Sequence, residues 1–596
     1  MKKILQLILT SALLISLVGC TTNNENDVKP TSEAVVDTAF DKYMDEAIVD
    51  ILANDYHAVH VYFEKPENFG ITKNELNVSF DSGLNEEVND KIFNQYKEIK
   101  ERLEEFDYDK LQDYQKDMYD SFMFDYAIME ESNKDKYEYI SSAFETSRGS
   151  YISYPTLLAD WIVRSEQDYK DLIVLVNDIK RIFEEEIAYT NIQAEKGYMH
   201  INFEDTITYC QNIVDTGMDS SVLTSLLNKV DNLDVGAEAK ESLRMEMKTA
   251  FESSYLEGYK YLVKELTRLR DGGFNNNEAG LYYLENGRDY YEVLLKQAMG
   301  MDISVDEMLN MMQTTMNKYI QKMSLIYSLK PDVLDKLDTM AYTSYDDVAK
   351  MLLDLEEDIL LDFPDVGEIE YEIAPIDPAI ANANTAAYFN IPAVDGTYPK
   401  QIRVNTNDGQ LDVQAINTFQ TIAHEGLPGH MYQIYYNYLN APTLFLKVNS
   451  CLAYTEGYAT YVENYVSKYL ENEVEKAILD ILVCNNIITG CIYVVCDIAI
   501  NYQGYAVDET QELLKELGID VDLETTKAIY NQLRDNPTIF VPYYAGFAKI
   551  DMMKDKVKTA LGDNYNEMDF HRVLLDNAGR TMEVVERNIN KYIEQE

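Results

Sequence analysis

Proline and glycine are scarce in this chain, 13 and 25 residues out of 596. With Leu, Glu, Lys and Met abundant, so few breakers argue against a fold chopped up by turns and for a mostly helical one. Cysteine is sparse as well: Cys20, Cys210, Cys451, Cys484, Cys491 and Cys496. Their spacing excludes a cysteine-rich metal site and a dense disulfide framework. Three of them fall within Cys484–Cys496, on an apolar stretch that reads as a buried helix carrying buried thiols, with a disulfide as the lesser alternative. Positive charge is in short supply: 51 Lys and Arg face 104 Asp and Glu, a net charge of −53. Nucleic acid, whose phosphates such a protein repels, is excluded as a partner, and so is lying flat on an anionic lipid surface. Past the first twenty residues, no stretch reads as long and apolar enough to span a membrane.

Hydrophobic residues make up 46% of the chain, with 47 tyrosines, enough for a globular core. The N-terminus carries a targeting pattern. Lys2 and Lys3 precede an apolar run from Ile4 to Leu17, and Leu17-Val18-Gly19-Cys20 closes it. This looks like the lipobox of bacterial lipoproteins. It predicts a signal peptide at 1–19, acylation at Cys20, a flexible polar tether at 20–37, and a body held by lipid on the outer face of a membrane.

Helical periodicity then dominates, over 85–131 and again over 167–196. Ser304 and Glu307 form a capping box before Met308. A helix is expected over about 345–361, stopped by Pro364. Alternation in EIEYEI and QIRVN, with Asp395-Gly396 between the runs, predicts a small sheet in 365–406. The chain divides on this reading into an N-terminal helical lobe, 38–300, and a catalytic lobe, 301–596.

Histidine is rare, and its placement is informative. Of six, His424 and His430 fall in the heptapeptide His424-Glu425-Gly426-Leu427-Pro428-Gly429-His430. Zinc peptidases commonly place two His four apart on one helix face, with the Glu after the first as general base. Here the spacing is six, which on a straight helix turns the second His about 240° away from the first. Pro428 cannot donate to the carbonyl of His424, and Gly426 and Gly429 permit unusual backbone angles. The helix is therefore expected to break after Glu425 and bring His430 back toward the same ion. The bland alternative is a Pro-Gly turn between two helices. Glu456, on a predicted helix with apolar and aromatic neighbours, would complete a three-ligand zinc site with an open fourth position. Glu463 lies seven residues further on the same face, placed to support a ligand. His57, His60, His200 and His571 read as structural.

HEGLPGH followed by EGYATY resembles the bacterial "domain of unknown function 885" family, grouped with gluzincin-type metallopeptidases. The segments Gly280–Gly287 with Tyr290-Tyr291, Asp497–Tyr505 and Phe570–Leu575 are similar to further elements of that family. The resemblance implies a mainly α, two-lobed metallopeptidase-like fold with a deep cleft and a small sheet near the site. It implies His424, His430 and Glu456 as ligands of one Zn²⁺ and Glu425 as catalytic base. The chain departs from the family pattern at Met431, at Asn501 and in the 542–549 segment, where substrate-holding groups are expected.

The expected activity is zinc-dependent hydrolysis of short peptides or related amides. Tyr544, then Tyr543, is the candidate oxyanion donor. Arg403 and Asn405, on a strand at 401–405 that could pair with an extended peptide, and Asn501 are the candidate substrate-binding residues. The competing expectation is a non-catalytic surface lipoprotein that captures peptide or metal.

Overall fold

A computed structural model describes residues 38–81, 83–84, 86–333, 337, 343–381, 386–396, 400–406 and 411–596. The signal peptide, Cys20 and the tether lie outside these residues. The described chain is mostly helical with one small sheet, as the scarcity of breakers implies.

The helix Glu166–Lys196 illustrates how sequence sets the elements. Ser165 caps its start by accepting from Asp168 N, and Gly197 ends it at φ 83°. Between them Leu172, Val176, Ile179, Phe183 and Ile187 form a buried stripe at helical spacing. The capping box at Ser304 and Glu307 is present. The helix expected near 345–361 runs over Val348–Asp358 with a tighter turn at Ile359–Leu361. The stretch 85–131 is two helices, Glu86–Leu103 and Asp113–Ser132. The second restarts where Gln115 Oε1 accepts from Gln112 N at 3.0 Å, satisfying an amide at the new N-terminus.

Apolar side chains gather into three cores. One belongs to the N-terminal lobe, built around Glu166–Lys196 and Glu257–Asp271. A larger one holds the C-terminal helices and the inner face of the sheet. The third joins the helix Thr38–Leu52 to Phe445, Leu446 and Val448. The helix Thr38–Leu52 thus packs against the C-terminal half, where Asp45 Oδ1 accepts from Phe445 N at 2.9 Å. The helix Gly287–Met299, on the N-terminal side of the lobe border at 300, buries Tyr291, Leu295 and Met299 in the large core.

The sheet has three strands, β1 (Tyr371–Pro375), β2 (Ala387–Asn390) and β3 (Lys400–Val404), in the order β1-β3-β2. β3 runs parallel to β1 and antiparallel to β2. This corrects the expectation that 401–405 receives an extended peptide: β3 is central and its hydrogen-bonding edges are used on both sides. The edge strands are β1 and β2.

A second correction concerns the apolar helix Glu473–Asn501. With 29 residues and a mean hydropathy of 1.9 over its best window, it is long and apolar enough to cross a membrane. Most of that window is buried inside the protein, so it is the central core helix. Cys484, Cys491 and Cys496 are buried free thiols along it, and Cys210 and Cys451 are likewise free and buried.

Candidate metal centre

The helix Ile416–Glu425 ends where the sequence predicts a break, and a second helix, His430–Asn440, begins after four residues. The reversal is held by the backbone: Gly429 N donates to Ala423 O at 3.0 Å and Tyr432 N to Gly426 O at 3.2 Å. The Leu427–Pro428 peptide is cis. Gly429 passes so close to the preceding helix end that a Cβ there would sit 1.9 Å from His424 O, which excludes any other residue. From a third helix, Leu452–Tyr465, the Tyr458 hydroxyl donates to Pro428 O at 2.9 Å and pins the turn. The same helix supplies Glu456.

The break brings the two imidazoles to 4.7 Å between ring centres, nearly perpendicular. His430 Nε2 lies 3.5 Å and His424 Nε2 3.8 Å from Glu456 Oε2. Ligand atoms about 2.0–2.1 Å from a tetrahedral zinc stand about 3.3 Å apart, so the two imidazoles are already near ligand spacing from Glu456, and all three donors lie within 4.8 Å of one another. Among the described residues these three form the one His/Cys/Asp/Glu group placed to hold a metal ion. His424 Nε2 and Glu456 Oε2 are buried and make no hydrogen bond. Buried polar atoms are rarely left so, and two of them converging is what a cation site requires.

His424 Nδ1 faces Glu463 Oε1 at 2.5 Å, and Gln420 donates to the other Glu463 oxygen. This fixes the ring and leaves Nε2 for an ion. Burial by itself pushes the His424 imidazole down, but the Glu463 hydrogen bond and the carboxylates of Glu425, Glu463 and Glu456 outweigh it and hold the pKa up at about 9. Glu425 points to the same space, with Oε1 3.9 Å from His424 Nε2. Its other oxygen accepts from the backbone N–H of Phe389 on β2 at 2.8 Å. Burial raises the Glu425 carboxyl above its ordinary range, opposed by both imidazoles and by that amide. A carboxylate moved toward neutral pH is suited to take and return a proton.

The candidate oxyanion donors sit in a π-helical turn, Val541–Ala545. That turn docks on the Glu456 helix at a glycine contact: a Cβ on Gly457 would lie 2.4 Å from the Gly546 carbonyl carbon. The Tyr544 ring rests against Gly490 of the core helix. Burial and the nearby Glu463 carboxylate push its phenol well above the usual value. Tyr544 is a member of the large core with the Glu463 carboxylate in its electrostatic neighbourhood, and Tyr543 is partly buried against the same core.

Two substrate-binding expectations are overturned. Asn501 is fully buried and spent: Oδ1 accepts from Leu281 N, and Nδ2 donates to Asp497 Oδ1 and Leu533 O. With Tyr291 and Thr538 N also on Asp497, it knots together the segments that resemble the family's further elements. Asn405 is fully enclosed at the end of β3 and already has an interaction within the protein. Arg403 is half-buried on β3. Three contributors escaped the sequence reading. Gln420, one turn before His424, was discoverable from i, i+4 spacing. Tyr458 and the Phe389 amide act through long-range contacts that leave no local mark.

The other histidines are structural. His60 stacks on Trp161 at 4.3 Å and meets Ile162 O through Nε2 at 2.8 Å. His57 lies against the same indole, and His200 Nδ1 meets Tyr198 O at 2.9 Å. Two surface cavities, of about 380 Å³ beside Glu583–Glu594 and about 450 Å³ beside Asn275–Glu278, lie away from the cluster.

Residues 69–589 match the family described as "Bacterial protein of unknown function (DUF885)". Among solved structures, a protein from Colwellia psychrerythraea, provisionally described as a lipoprotein, is similar with a TM-score of 0.78 and 16% identity. The match covers 94% of this chain and 99% of that one. A second, from Shewanella oneidensis, provisionally described as a lipoprotein of unknown function, has a TM-score of 0.63 and 14% identity, with coverage of 92% and 99%. At such identities the likeness is one of fold. No curated protein matches the chain.

Proposed function

This chain belongs to the DUF885 family, and from that premise we propose that it is a zinc-dependent hydrolase of peptides or related amides, carried as a lipoprotein on the outer face of a bacterial membrane. The observation that carries the reading is the pair of buried, unpartnered ligand atoms, His424 Nε2 and Glu456 Oε2, converging with His430 beside the carboxylate of Glu425. The lipobox-like segment at 17–20 and the descriptions of the two similar structures support the anchoring.

His424, His430 and Glu456 would hold one Zn²⁺. When bound, zinc supplies Lewis-acid polarisation of a carbonyl and activation of water at neutral pH. Glu463 orients the His424 ring and sets which nitrogen is free. Glu425 accepts the proton of the attacking water and returns it to the leaving amine, held in place by Phe389 N–H. Tyr544 donates a hydrogen bond to the oxyanion as it forms. The free edge of β2, whose Phe389 amide already points at Glu425, is the natural place for an extended peptide.

The test is hydrolysis of a mixed set of short unblocked peptides by purified protein, before and after chelation and after zinc is restored. Hydrolysis lost with the metal and regained with it supports the reading. A protein that binds zinc and peptides but turns none over would be a capture lipoprotein instead.

A further inference from the structure

On the outer face of the sheet, charged groups of the N-terminal lobe meet β2 and β3. Phe389 and Ile402 point into the large core, so their neighbours Tyr388 and Arg403, paired across the two strands, point the other way. The Tyr388 hydroxyl donates to Asp160. Ser225 Oγ donates to Asp377 Oδ2 at 2.5 Å, and Asp377 Oδ1 accepts from Ala379 N at 2.9 Å. Hydroxyls and an amide thus occupy both carboxylates.

The two cations beside them are less well served. Among the described residues Arg403 makes one hydrogen bond, from Nη1 to Pro375 O at 3.2 Å, and its Nε is buried without a partner. Lys229 Nζ donates to Ala159 O at 2.5 Å. Among the described residues neither reaches a carboxylate within 4.0 Å. Yet they share one electrostatic neighbourhood with Asp160 and Asp377. Neither cation is in a direct ion pair, so each keeps donor capacity for a further carboxylate. In a chain with 104 acidic residues to 51 basic ones, partners for them abound. Arg403, paired with Tyr388, stands one residue along the sheet from Phe389, whose amide holds Glu425. A peptide on the free edge of β2 would lie about 10 Å from β3, two strand spacings. A substrate group leaning over Tyr388 comes within reach of an arginine side chain.

We infer that Arg403 and Lys229 form a subsite for a carboxylate of the substrate, so that the enzyme prefers peptides presenting that group next to the bond it cleaves. The carboxylate is either the C-terminus or an Asp or Glu side chain. This rests on the peptide-hydrolase reading.

The test uses binding, so that it stands even if turnover fails. Zinc-supplemented Glu425→Gln protein is titrated calorimetrically with trialanine, trialanine amide and Ala-Glu-Ala amide. Trialanine binding at least about tenfold tighter than its amide assigns the subsite to the C-terminus; the same advantage for Ala-Glu-Ala amide assigns it to a side chain. Arg403→Gln and, separately, Lys229→Met should shrink that advantage to within about twofold, while Arg403→Lys keeps part of it. Melting and zinc content show that each variant is folded. Equal affinity for all three peptides, or a preference unchanged in both charge-removing variants, overturns the inference. If peptides bind with the stated preference but active protein cleaves none, the hydrolase reading fails and the subsite stands.

Discussion

Two histidines in this protein are buried in the same lobe, yet they are opposites. His571 has both ring nitrogens satisfied: Nδ1 meets Asp362 O and Nε2 meets the Tyr461 hydroxyl, each at 2.7 Å. It stacks on Phe363 at 3.9 Å, and burial with the nearby Lys554 ammonium pushes its pKa down to about 3. His424 is buried too, but only Nδ1 is engaged, and carboxylates ring it. Burial alone therefore says little about a histidine's role. What separates the two is unspent valence and the sign of the surrounding charge. His571 is a neutral fastener, whereas His424 is arranged to hold positive charge, as a proton or as a metal ion.

The contrast can be broken or sharpened by mutation. The largest effect is expected from Glu425→Gln, which keeps shape but removes the base. Zinc content and melting should stay at the wild-type level while turnover falls about a thousandfold or more. Retained turnover would remove Glu425 from the chemistry, and lost zinc would make it a ligand. Next comes Tyr544→Phe, which should cost about a hundredfold in turnover with zinc intact, against little for Tyr543→Phe. Equal losses at the two positions would undo the assignment of Tyr544. Glu463→Gln should weaken zinc binding about ten- to a hundredfold, measured by competition with a chelator. His571→Gln should leave zinc affinity unchanged and lower stability instead, since it disturbs a satisfied, stacked group.

The smallest and most discriminating effect is in the pH dependence of the chelator-treated protein. His424 has its pKa raised from 6.5 to about 9, so its contribution to stability is full below pH 6.5 and is lost as pH rises through about 9. His571 is lowered from 6.5 to about 3, so its contribution is full above pH 6.5 and is lost as pH falls toward 3. Melting profiles should therefore lose their alkaline limb in His424→Gln and their acid limb in His571→Gln. Matching profiles in the two variants would contradict the comparison.

Much of this site was legible in the sequence because its signals are local. A proline and two glycines between His424 and His430 require a break, and the break is there. Glu463 follows Glu456 by two helical turns and so shares its face. The capping box at Ser304 is likewise a matter of four residues. What escaped depends on pairing between distant segments. The alternation over 401–405 predicts a strand but not that β3 is central, which β1 and β2 decide from elsewhere in the chain. Asn501 seemed free to meet substrate because nothing nearby in sequence reveals Leu281 N or Leu533 O. The apolar length of Glu473–Asn501 is the same whether the surroundings are lipid or protein, and only packing tells them apart.

The central claim is that His424, His430 and Glu456 hold one metal ion. Its most direct test is elemental analysis of the purified protein beside His430→Ala, with both checked for native melting. The account predicts about one zinc per chain in the wild type and none at stoichiometry in the variant. Zinc retained in full by folded His430→Ala, or no stoichiometric metal in either protein after zinc is supplied, would contradict it.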